Sequence, residues 1–170
     1  VAPTPENSPD GHRSINWDAK AATRAVSDDV NGTFPGDFFN TNFFPRARGV
    51  NMVTQGTGMR LSSFADSGEP TLFGEPSEFQ DFSPERLFGV TGGSVVELEF
   101  RDPANPALPA VVDGFGSVFA GVEIPGKTFI EYFDVGGSLI HTVVAPVSTP
   151  GGGLSFAGAT FQQPVVARVR

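Results

Sequence analysis

Ser94-Val95-Val96-Glu97-Leu98-Glu99-Phe100-Arg101 alternates from Val96 onward, with Val96, Leu98 and Phe100 on one side and Glu97, Glu99 and Arg101 on the other. A period of two is that of an extended chain with one face in a core and one in water. Two further stretches carry the same message. Residues 111–123 set Phe115, Val118 and Phe119 among Gly114, Gly116, Ala120 and Gly121. Glycines inside a strand mark close approach of another backbone, or a bend between sheets. Residues 128–134 and 139–144 flank Val135-Gly136-Gly137-Ser138, whose turn chemistry predicts a hairpin.

Working outward, short strands are predicted at 14–18, 49–54, 59–63, 154–161 and 165–169, the second and third joined by a hairpin-type turn at Gln55-Gly56-Thr57-Gly58. Residues 64–90 and 102–109 are proline-bearing and read as a long loop and a turn. Residues 1–13 have no periodicity and read as a flexible tail. Residues 19–30 are the only stretch suited to a short helix. The sum is one all-β domain over residues 14–170, a jelly-roll sandwich of eight or nine short antiparallel strands. No internal repeat points to a propeller or solenoid.

Composition agrees. The 21 glycines and 15 prolines among 170 residues suit many tight turns. The 17 phenylalanines against one tryptophan and one tyrosine point to core packing, because phenylalanine has no polar handle. A net charge of −8 repels phosphate backbones and anionic bilayers, so neither nucleic acid nor membrane insertion is expected. Cysteine is absent, which removes disulfides, thiolate metal sites and a cysteine nucleophile. Val1-Ala2-Pro3-Thr4-Pro5 reads either as a mature N-terminus after cleavage or as a plain boundary. Residues 165–170 form a strand that stops without a turn.

Asp113-Gly114-Phe115-Gly116-Ser117-Val118-Phe119, Ile130 to Leu139 (Ile-Glu-Tyr-Phe-Asp-Val-Gly-Gly-Ser-Leu), Leu154-Ser155-Phe156-Ala157-Gly158 and Ala167-Arg168-Val169 together resemble bacterial exported jelly-roll domains. These are the domains of PEP-CTERM-type surface proteins, with galactose-binding-like and carbohydrate-binding-module-like hairpins. Ile15-Asn16-Trp17-Asp18 and Arg48-Gly49-Val50-Asn51-Met52 resemble the opening strands of the same group. The resemblance implies a secreted or cell-surface domain, with a polysaccharide or cell-surface component as partner and no particular reaction. It also implies one further strand after residue 170, so the Arg168–Arg170 strand is expected to leave an open edge.

The chemistry is sparse. His12 lies in the tail. His141 shares a face with Leu139 and Val143 and reads as a half-buried histidine. No nucleophile elbow and no zinc spacing is present. Glu97, Glu99, Glu123, Glu131 and Asp134 could supply a carboxylate pair for a glycoside hydrolase or lyase, but Glu97 and Glu99 sit on a wet face as ordinary solvation. No catalytic residue is assigned, and a non-catalytic module is the leading expectation. Ligand-binding candidates are Trp17, Tyr132 and His141. A structural calcium is the one ion the acidic loops suit, with Asp66, Glu69 and Asp81 as ligands and a second cluster at Asp28, Asp29 and Asn31. Phe34, Phe38, Phe39, Phe43 and Phe44 crowd one loop, as a plug over one end of the sandwich. The other reading of Phe38, Phe39, Phe43 and Phe44 is an interaction patch for self-association in a matrix or filament.

Overall fold

The computed structural model describes residues 11–17, 34–43, 46–62, 79–80, 82 and 86–170. Among the described residues ten strands form: β1 (Val50–Thr54), β2 (Gly58–Leu61), β3 (Phe88–Thr91), β4 (Val96–Asp102), β5 (Asn105–Pro109), β6 (Gly114–Ala120), β7 (Phe129–Phe133), β8 (Leu139–Val144), β9 (Leu154–Thr160) and β10 (Arg168–Val169). The described residues contain no helix, and every pairing is antiparallel. The fold is an open, sandwich-like all-β structure. The helix expected at 19–30 lies outside the described residues.

One layer is a six-stranded sheet in the order β1-β4-β10-β7-β8, with β5 paired to the end of β4. The other consists of two ribbons, β2-β3 and β6-β9. Alternation in β4 sends Val96, Leu98 and Phe100 into the core, as the period of two predicts. Met52 from β1, Ile130 and Tyr132 from β7 and Val169 from β10 join them. The ribbons contribute Met59, Leu61, Phe88 and Val90, and Phe115, Phe119, Ala157 and Ala159. In the β6-β9 ribbon Gly116 stands opposite Gly158. A Cβ on Gly158 would lie 2.9 Å from the Gly116 Cα, so the two backbones touch as the glycine pattern predicts.

Several expectations are corrected. Residues 14–17 form no strand. Ile15 and Trp17 instead pack onto the core from an unpaired segment, which the Arg48 guanidinium ties down by donating to the Ser14 carbonyl (2.9 Å). β1 and β2 do not form a hairpin with each other. The Thr57 N–H donates to the Thr91 carbonyl (2.7 Å), which draws the chain out of the main sheet and into the ribbon with β3. β3 itself lies in the expected long loop, masked in the sequence by Gly89 and the flanking Gly92-Gly93. The expected turn at 102–109 contains β5, where Pro106 and Pro109 are tolerated because the strand has one unpaired side.

The ends of the main sheet decide what surface is left. β10 is no edge: it lies between β4 and β7, with Arg168 opposite both Glu99 and Phe133. The open edge expected at the last strand is therefore filled on both sides. The β1 edge is covered by the phenylalanine loop. There the Met52 N–H donates to the Gly36 carbonyl (2.8 Å), and the Phe39 carbonyl accepts from the N–H groups of Arg48 and Gly49 (3.1 Å each). Phe34, Phe38 and Phe39 are buried beneath that loop. β8 is the remaining end, and among the described residues no strand pairs with its outer side.

Candidate functional site

The outer face of the main sheet is an ion-pair lattice. Arg168 pairs with Glu97 (2.7 Å), Arg101 with Glu99 (2.6 Å) and Arg170 with Glu131 (2.7 Å). Register explains this, since β10 threads its arginines between the acidic faces of β4 and β7. Both arginines also cover Phe133, with guanidinium carbons 4.2 and 5.3 Å from the ring centre, and this outward-facing ring is only 7% exposed. The carboxylates on this face are thus tied to guanidiniums rather than merely solvated. Each half-exposed pair is worth about 0.2–1 kcal/mol.

The hydrogen bond from Arg101, and then that from Asn51, hold the Glu99 carboxyl below its ordinary value of 4.5. A general acid in glycoside cleavage needs the opposite shift. With the folded value depressed, the stabilisation is present above the unfolded value of 4.5 and is lost as pH falls through the folded one. Glu99→Gln is therefore expected to flatten the acid limb of the stability curve while leaving its neutral plateau nearly unchanged. Urea melts on either side of that value measure the difference.

The aromatic candidates are embedded. Tyr132 is 0% exposed and donates its hydroxyl to the Phe115 carbonyl (2.8 Å), presenting no face to a ligand. Trp17 stacks on Phe88 at 4.4 Å and meets Phe34 and Phe39 edge-on. The crevice beside it, lined by Asn16, Phe38 and Arg86 among others, holds about 20 Å³. That is room for about one water and none for a sugar ring. His141 is exposed, not half-buried, because β8 is the last strand of its sheet; its ring lies 6.0 Å from those of Tyr132 and Phe161.

Of the phenylalanine patch, Phe38 and Phe39 are 8% and 7% exposed and Phe43 is 62% exposed, while Phe44 lies outside the described residues. Asp66, Glu69, Asp81, Asp28, Asp29 and Asn31 also lie outside them. Among the described residues no group of three or more His, Asp or Glu side chains is placed to hold a metal ion. No helix among them is long and apolar enough to cross a membrane.

β8 reads Leu-Ile-His-Thr-Val-Val, and every residue except Val143 is exposed. It carries no carboxylate, guanidinium, ammonium or proline. The ladder shows which of its groups are free. The Ala145 N–H donates to the Thr128 carbonyl (2.9 Å), which makes Ile130↔Val143 and Tyr132↔His141 the bonded pairs and turns Thr142 and Val144 away from β7. The reciprocal bonds between Glu131 and Arg170 (2.8 and 2.9 Å) agree, since Glu131, opposite Thr142, spends its own N–H and carbonyl on β10. Thr142 and Val144 therefore aim their N–H and carbonyl groups outward.

Comparison with protein-family models, curated proteins and solved structures finds no match to this chain.

The site must accordingly be read from its own chemistry. Sequence reasoning passed over β8 as a recognition element because its composition is that of any half-buried strand. Only the sheet order exposes it.

Proposed function

We propose that the chain is a non-catalytic binding or structural module of an exported, cell-surface protein, and that it works by strand addition at β8. The observation that carries this is the contrast between the two ends of the main sheet: one is sealed by the phenylalanine loop, while the other is uncharged, rich in β-branched residues and unpaired among the described residues. Edge strands left in this state are templates for another strand, and proteins that do not use them block them with charge, proline or a covering loop. The exported setting is supported by the resemblance of residues 113–119, 130–139 and 154–158 to surface jelly-roll domains.

The test is a synthetic peptide copying Leu139–Val144, flanked by lysines for solubility and added to dilute protein. The amides of Thr142 and Val144 are expected to exchange with solvent several-fold more slowly when it is bound. Thr142→Pro, which removes an N–H with no partner inside the sheet, should abolish the effect. Unchanged exchange at both amides would sink the reading.

A further inference from the structure

Resting on that reading, we infer that the strand which completes β8 is β8 of a second copy, joined antiparallel about a two-fold axis through Val143. Two features of the edge select this partner and this register.

The first is parity. Thr142 and Val144 face outward, so each must meet a residue of the other copy that also faces outward. Placing Thr142 opposite Val144 of the second copy, and the reverse, uses both residues of both chains. It forms four backbone hydrogen bonds around a non-bonded Val143 pair.

The second is where each ladder fails. The β7-β8 register shifts between Tyr132 and Phe133, leaving Ile140 as the extra residue of a bulge. Pro146, the next outward position after Val144, has no N–H to give. In this register Ile140 of one copy lies opposite Pro146 of the other, so the two interruptions coincide. Shifting the axis to Thr142 would instead ask the bulged Ile140 to pair with Val144.

The side chains agree with this arrangement. The outer face gains two Thr–Val pairs, β-branched on both sides, which are favourable cross-strand neighbours. Although each chain carries a net charge of −8, no charged side chain lies in the joined strands. The nearest acid across the sheet, Glu131, is already paired with Arg170. Within the main sheet the pairing closes at two, because an isologous contact consumes the β8 edge of both copies while the β1 edges stay under their loops.

Sedimentation velocity over a concentration series tests the pairing. Wild-type protein is expected to pass from monomer to dimer and no further. Thr142→Lys should raise the dimer dissociation constant by about tenfold or more, since it sets an ammonium into an uncharged joint. Val144→Lys, at a side chain 52% exposed, is a second variant that leaves the core untouched. Both should keep the wild-type melting profile in dilute solution.

Register is read by disulfide trapping, which is clean in a chain without cysteine. Mixed Thr142→Cys and Val144→Cys chains should cross-link to each other in preference to themselves. Dominant homodisulfides would overturn the register. A protein that stays monomeric at every concentration while the β8 peptide still protects Thr142 and Val144 would overturn this inference and leave the strand-addition reading standing. A dimer indifferent to both lysine variants would overturn it as well.

Discussion

Replacing Tyr132 with alanine is expected to cost about 3–5 kcal/mol, a large part of the roughly 5–15 kcal/mol that holds a domain of this size together. Tyr132 is 0% exposed and packs on Phe161 at 5.6 Å between ring centres. Its hydroxyl joins the main sheet to the β6-β9 ribbon through the Phe115 carbonyl. The variant opens a void where the two layers meet and removes the hydroxyl that ties them together. Thermal melts should show the domain unfolded or nearly so at ordinary temperature, and Tyr132→Phe should retain most of the stability, losing about 0.5–1.5 kcal/mol for the one hydrogen bond.

A companion measurement needs no variant. Burial holds the Tyr132 hydroxyl above its ordinary value of 10.0, with the neighbouring Ala159 backbone opposing the shift only in part. The neutral form's advantage is fully present below the unfolded value and is lost as pH rises toward the folded one. Because Tyr132 is the only tyrosine in the chain, tyrosinate absorbance reports on this one group. It should rise together with alkaline unfolding and not before it.

Gly36→Val is expected to lift the phenylalanine loop from the β1 edge. A Cβ at this position would fall inside the van der Waals surface of the Met52 carbonyl oxygen, which belongs to backbone and has little room to yield. The Met52 N–H to Gly36 carbonyl bond would break, at a cost of about 1–3 kcal/mol from overpacking. The change in assembly should be larger than the change in stability. With β1 uncovered, each β8-joined dimer offers a free edge at both ends, and pairing through those edges has no reason to stop. Light scattering should show open-ended polymers in place of dimers, and the Met52 amide should exchange far faster than in the parent.

How much of this was legible in the sequence depended on how local each signal is. The alternation of 94–101 and the Gly136-Gly137 turn fix faces and a hairpin from neighbouring residues alone, and both stand in the structure. The glycines of 111–123 correctly announced a backbone contact, though not that Gly158 would supply it. The order of strands was not legible, because it is set by which distant faces match. Arg168 and Arg170 look like an unfinished strand until Glu97, Glu99 and Glu131 are seen on either side of them. The candidate site was hidden for the same reason. His141 and Val143 read as one face of a strand, but nothing near them in sequence says that, among the described residues, the sheet ends at β8.

The position of β10 also governs the time course of folding. β1 and β4 can pair early, and β7 and β8 can close their hairpin on their own. These halves meet through residues 167–170: Arg168 and Val169 lie opposite Glu99 and Leu98 on one side and Phe133 and Tyr132 on the other, and Ala167 bonds to both Phe100 and Phe133. Until that segment docks, β4 and β7 each expose an unpaired flank, and the contacts that close the sheet span about 70 residues on the β4 side. Folding of the main sheet should therefore behave as a late, slow zippering, with two half-sheets waiting for one short strand to join them.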